Sequence, residues 1–131
     1  MSATLTIDPE QRDALHGLML RRLLVLAMEP RELARAEGVG LEELCVGFGE
    51  DLRLMEDVGW ARGRGGPVEL TMAPQELARA LRRLRDGARR APGEARRERE
   101  PQESEAERRE RFRHGERTCE ELLARLGERA G

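Results

Sequence analysis

The Leu, Val and Met residues of this 131-residue chain lie mostly between positions 15 and 84, and residues 89 to 117 hold almost none. A chain can organise only around what it can bury, so the core must come from residues up to about 90, with a polar appendage after it. Hydrophobic and charged residues each make up 38% of the chain, which leaves a core only because the apolar positions are concentrated.

All 24 basic residues are Arg; there is no Lys, Asn or Tyr, and one Ile (Ile7). The missing residues share A/T-rich codons, which points to a high-GC gene and makes Arg abundance a weak sign of nucleic-acid binding. The net charge of −2 hides a dipolar layout. Residues 1–60 carry 6 Arg against 12 acids, residues 61–92 carry 8 against 3, and residues 93–131 carry 10 against 11. An acidic segment followed by a basic one suggests internal complementarity or head-to-tail self-association. Two cysteines, Cys45 and Cys119, do not make a disulfide framework. Arg21 and Arg22 interrupt the apolar run Leu18–Met28, which is too short for a spanning helix. The expectation is a cytoplasmic chain with reduced thiols and no membrane partner.

The periodicity predicts an all-α fold: a small bundle of about four helices, one short extended segment and a charged C-terminal helix. Met1 to Ile7 reads as a leader. Asp8-Pro9-Glu10-Gln11 is a helix start, with Asp8 as cap, Pro9 in the first turn and Gln11 completing a capping box. The first helix runs to about Met28 and is apolar most of the way round, so it is expected to be enclosed as the central core helix. Pro30 opens a short second helix that Gly38 ends. A third runs from Leu41 to about Val58, with Leu41, Leu44, Cys45, Phe48, Leu52 and Met55 at helical spacing. Gly47 and Gly49 inside it suggest irregularity or close packing.

A glycine-rich loop follows Trp60, then Val68–Met72 alternates as an extended strap with no evident strand partner. Pro74 begins a fourth helix to about Arg90, burying Leu77, Leu81, Leu84 and Ala88. Ala91-Pro92-Gly93 marks a boundary, giving a helical core domain (1–92) and a charged helical extension (93–131). In the extension Glu105/Arg109 and Glu107/Arg111 have i,i+4 spacing, and an apolar seam begins at Phe112 and continues through Cys119, Leu122 or Leu123, and Leu126, a spacing that suits packing against another helix, of the chain's own core or of a partner.

Little supports catalysis. His16 and His114 lack a neighbouring nucleophile or base arrangement, and the pair His114/Cys119 lacks the short paired spacings of a zinc site. No catalytic residue, metal or cofactor is assigned. Glu32 to Gly40 followed by Leu44 has the pattern of a helix-turn-helix, with Ala34 between helices, Gly38 at the turn, and Val39 and Leu44 facing the core. Against it, the would-be recognition helix carries Glu42, Glu43, Glu50, Asp51, Glu56 and Asp57 beside one Arg, Arg53, and would repel phosphates.

The stretch Glu50 to Trp60, then Val68-Glu69-Leu70-Thr71-Met72 and Pro74 to Arg85, resembles a group of small uncharacterised helical proteins of high-GC actinobacteria. The resemblance spans roughly residues 5–90 and implies a bacterial origin and a helical fold, with no activity, cofactor or catalytic residue to carry over. The reading that results is a non-catalytic protein–protein interaction or regulatory protein, with a DNA-binding regulator as the alternative. Its partner is an unknown protein or a second copy. The expected contacts are Trp60 and the seam Phe112, Cys119, Leu122, Leu126, with Arg79, Arg82 and Arg83 of the fourth helix supplying steering.

Overall fold

In a computed structural model the described residues are 3–60, 65–94 and 103–130; the side chains of Trp60 and of residues 128–130 lie outside this description. The chain is mostly helical. In order come strand β1 (Leu5–Ile7), helices α1 (Pro9–Met28), α2 (Pro30–Glu37) and α3 (Leu41–Trp60), strand β2 (Val68–Leu70), helix α4 (Pro74–Arg90), a 3-10 turn (Ala91–Gly93) and helix α5 (Glu105–Ala130).

Local chemistry sets the helix ends. The Asp8 carboxylate accepts from the Gln11 N–H at 2.8 Å, and the Gln11 side chain accepts from the Asp8 N–H at 3.0 Å. Gly38 ends α2 in the left-handed conformation (φ 69°), where a side chain would be strained. Ser104 and Glu107 form a second reciprocal capping box at the start of α5. That box holds Glu107, while Arg111 turns back to Glu103 at 2.9 Å, so the i,i+4 pair expected between them gives way to these partners.

Three expectations are corrected. The leader is a strand: Leu5–Ile7 pairs antiparallel with Val68–Leu70 in the register Leu5↔Leu70, Thr6↔Glu69, Ile7↔Val68. The strap therefore has a partner, and both strands turn alternate side chains into the core. The C-terminal helix, whose packing the sequence leaves open, lies on the core. Phe112, Cys119, Leu122 and Leu126 share one buried cluster with Leu77, Leu81, Leu84 and Ala88 of α4 and with Leu15, Leu18 and Met19 of α1. Gly115 lets α5 approach α1 closely, since a Cβ there would lie 3.0 Å from Leu18 Cδ1. Finally, α1 is not enclosed. Leu15, Leu18, Met19 and Val25 are buried, but Leu20 and Leu24 are about half exposed and Met28 more so.

A smaller cluster of Val25, Leu33, Ala34 and Leu44 joins α1, α2 and α3. It gives the α2–turn–α3 unit the internal packing of a helix-turn-helix, with Val39 packed against it.

Candidate functional site

Of the apolar pattern of the third helix, Leu44 and Met55 turn inward and the other four residues face out. The buried side of the helix holds Leu44, Gly47, Glu50, Asp51, Leu54 and Val58. The stripe Leu41, Cys45, Phe48 and Leu52 is exposed. Glu50 and Asp51 can turn inward because α1 and α4 bring arginines to meet them. Arg22 of α1 donates from Nε to Asp51 at 2.7 Å and also bonds to Glu37 of α2. Arg83 of α4 bonds to Asp51 at 2.9 Å and to the Gly47 carbonyl at 3.2 Å. A Cβ at Gly47 would stand 3.3 Å from the Arg83 guanidinium carbon, so a side chain there would press on this contact. Arg79 donates two hydrogen bonds to Glu50, at 2.9 and 2.6 Å.

The acidic first half and the basic fourth helix thus meet inside the molecule, in a network whose centre, Asp51, is wholly buried. Burial opposes ionisation of Glu50, but hydrogen bonds and charges from Arg79 and Arg83 outweigh it and hold its carboxyl below the usual carboxylate value. Burial likewise works against the charge on Arg22, and its bonds to Glu37 and Asp51 overcome it. A carboxylate held ionised by two arginines, as Glu50 is, is a poor proton donor and a poor base, so this network suits structure more than acid–base chemistry.

Beside the network, a groove of about 1050 Å³ runs between α2, α3 and α4. Arg79, Arg82, Arg89 and Arg90 line one wall and Glu37, Glu42, Glu43 and Glu50 the other. Arg79 and Arg83, two of the three steering residues expected from the sequence, are tied to Glu50 and Asp51; Arg82 is exposed at the groove. Opposite charges on facing walls leave no broad field for an anion.

The expected seam on α5 is buried in the chain's own core and is not available to a partner. Phe112 sits among three guanidinium groups, those of Arg111, Arg108 and Arg21, at 4.7, 5.2 and 5.3 Å from its ring centre. Arg108 extends the seam one step towards the N-terminus. It is fully buried and donates to the Ala91 carbonyl at 3.1 Å. Burial pushes the Cys119 thiol up to about 12, which makes it unreactive. The expected anchor Trp60 closes α3, and its side chain lies outside the described residues.

The surface that sequence reasoning missed is the outer face of α1 and α3. The Arg22–Asp51 bond and the packing of Val25 with Leu44 show that the two helices run in opposite senses. Leu24 then stands level with Phe48, Leu20 with Leu52, and Met28 with Leu41 and Cys45. These apolar side chains are exposed on the outer sides of the two helices, with Asp13 and Glu56 at the edges of the stripes. The signal was present in the spacing Leu20, Leu24, Met28, which continues around α1 beyond the stripe its core needs.

His114 Nε2 lies 3.7 Å from Glu10 at the surface, and His16 is half-buried on α1. Among the described residues no cluster of three His, Cys, Asp or Glu side chains could hold a metal ion, and no helix is long and apolar enough to cross a membrane. Comparison with protein-family models, with curated proteins and with solved structures returned no match.

Proposed function

We propose that this chain is a non-catalytic protein–protein interaction or regulatory protein of the cytoplasm that engages its partner through the outer face of α1 and α3. The observation that carries this reading is the exposure of Leu20, Leu24, Met28, Leu41, Phe48 and Leu52 on two adjacent helices. Contiguous apolar surface of this kind mostly marks an interaction site. The sequence-based proposal is kept in kind but moved in place, from the α5 seam to this face.

Duplex binding by the α2–α3 unit is less well supported. The outward side of α3 offers Glu42, Glu43 and Glu56, and its one arginine, Arg53, is held by Glu76 at 2.7 Å. The test is co-purification from the native host's lysate, with and without nuclease, comparing the wild type with Leu24→Glu and Phe48→Glu. The proposal expects partners that survive nuclease and are lost from both variants. Equal recovery by wild type and variants would remove it, and partners that vanish with nuclease would favour the DNA-binding reading.

A further inference from the structure

Resting on that interaction reading, we infer that the partner is a second copy of this chain, seated on the outer face of α1 and α3 by two-fold symmetry. Four observations point to a copy and not to some other cover.

The first is spacing. Gly17, Leu20, Leu24 and Ala27 recur along α1 at intervals of three and four, and Leu41, Cys45, Phe48 and Leu52 do the same along α3. This is the repeat by which one helix packs against another, so the surface fits helices. Gly17 and Gly49 face open space beside the two stripes, which leaves room for a close approach.

The second is self-complementarity. The face consists of two stripes running in opposite senses, each on a 20-residue helix. Two stripes of matching length and opposite sense would cover both at once, and this chain offers them. A two-fold axis lying in the plane of the face and crossing the helices at the level of Leu24 and Phe48 sets a second copy against it, so that each contact is made twice.

The third is area. Exposures from 36% for Phe48 to 72% for Met28 put the apolar surface on the order of 600 Å². That is the top of the range for a monomer's largest patch and near the ~800 Å² that each partner of a standard interface buries.

The fourth is the lack of a cover within the connecting segments. The internal residues outside the described set are Ala61, Arg62, Gly63 and Arg64, and the run Ala95 to Gln102, in which Arg and Glu predominate. None of them is a large apolar residue, so neither segment has side chains suited to this face.

Sedimentation equilibrium of the full chain tests the inference. Between about 1 and about 200 µM the apparent mass should rise from 14.8 kDa towards twice that value, a range that detects micromolar association. Leu24→Glu and Phe48→Glu should each weaken association at least about tenfold with the helical circular dichroism retained. Val46→Glu should associate like the wild type, because exposed Val46 lines the α2–α3–α4 groove and not this face. If a Glu variant loses its helical signal, Leu24→Ser and Phe48→Ser replace it.

A second readout needs no substitution. Cys45 is exposed within the face and Cys119 is buried, so the rate of Cys45 modification should fall severalfold over the same rise in concentration. A wild type that stays monomeric, association that survives the face variants, or association lost equally in Val46→Glu would each overturn the inference. So would a Cys45 rate that does not change with concentration. The broader interaction reading fails by a different result, recovery of the same partners by wild type and face variants, so the two can be told apart.

Discussion

Replacing Phe112 by Ala should strip α5 from the core. Phe112 is 1% exposed and packs in the cluster that joins α1, α4 and α5. Truncating a buried Phe to Ala removes the transfer energy of the ring and leaves a cavity, a loss of about 3–5 kcal/mol. Three guanidinium groups surround the ring, and that of Arg108 is fully buried, so its contact with the ring face is not screened by water. Cation–π attraction of roughly 0.5–1 kcal/mol per exposed contact, and more when desolvated, places the expected total at about 5 kcal/mol. For a chain of this length each kcal/mol moves the melting temperature by roughly 3–4 °C, so Phe112→Ala should melt about 15–20 °C below the wild type. Phe112→Leu keeps apolar volume and loses the ring, and should cost only about 1–2 kcal/mol. The assay is thermal and urea unfolding at about 1 µM, low enough to limit association to a minor contribution. A Phe112→Ala variant within about 1 kcal/mol of the wild type would refute the reasoning, because a buried ring cannot be removed that cheaply.

Other perturbations follow from the ionic network. Arg22→Met leaves Glu37 with only the longer contact to Arg90 at 4.0 Å and Asp51 with Arg83 alone, and should cost about 3–5 kcal/mol in urea unfolding, the usual loss when one member of a buried pair is removed. Stability should also fall in acid. Glu50 has a folded-state value held below the ordinary 4.5, so it stabilises the fold fully above that value and less as pH drops through it towards the folded value. The melting temperature gap between wild type and Glu50→Gln should therefore narrow as pH falls from about 6 to about 3; a gap that stays constant would contradict the pairing with Arg79 and Arg83.

Much of the helix layout is legible in the sequence because its signals are local. Asp8, Pro9 and Gln11 specify the start of α1, Pro30 and Gly38 bracket α2, and Leu77, Leu81, Leu84 and Ala88 mark the buried side of α4. Pairing of β1 with β2 is not legible, because the two strands are three residues each and lie more than sixty residues apart. The orientation of α3 is the larger miss. Its apolar stripe predicts one buried face, but Glu50 and Asp51 find Arg22, Arg79 and Arg83 only through tertiary contacts, and those contacts turn the charged side inward. The dipolar charge layout hinted at such complementarity without saying which residues meet. The α5 seam was readable by spacing, whereas its destination, the chain's own core, depended on the same kind of long-range contact.

Helix α3 shows its apolar stripe outward while α5 lies buried against α4, and the two cysteines report both at once. Cys45 sits in the exposed stripe and Cys119 in the α5 seam. The direct measurement is the time course of thiol modification of the native chain at about 1 µM, a dilution chosen to disfavour association. One thiol, Cys45, should react in the folded chain, and a second, Cys119, only when the chain unfolds. A protected Cys45 at this dilution, or a Cys119 that reacts under native conditions, would contradict this arrangement.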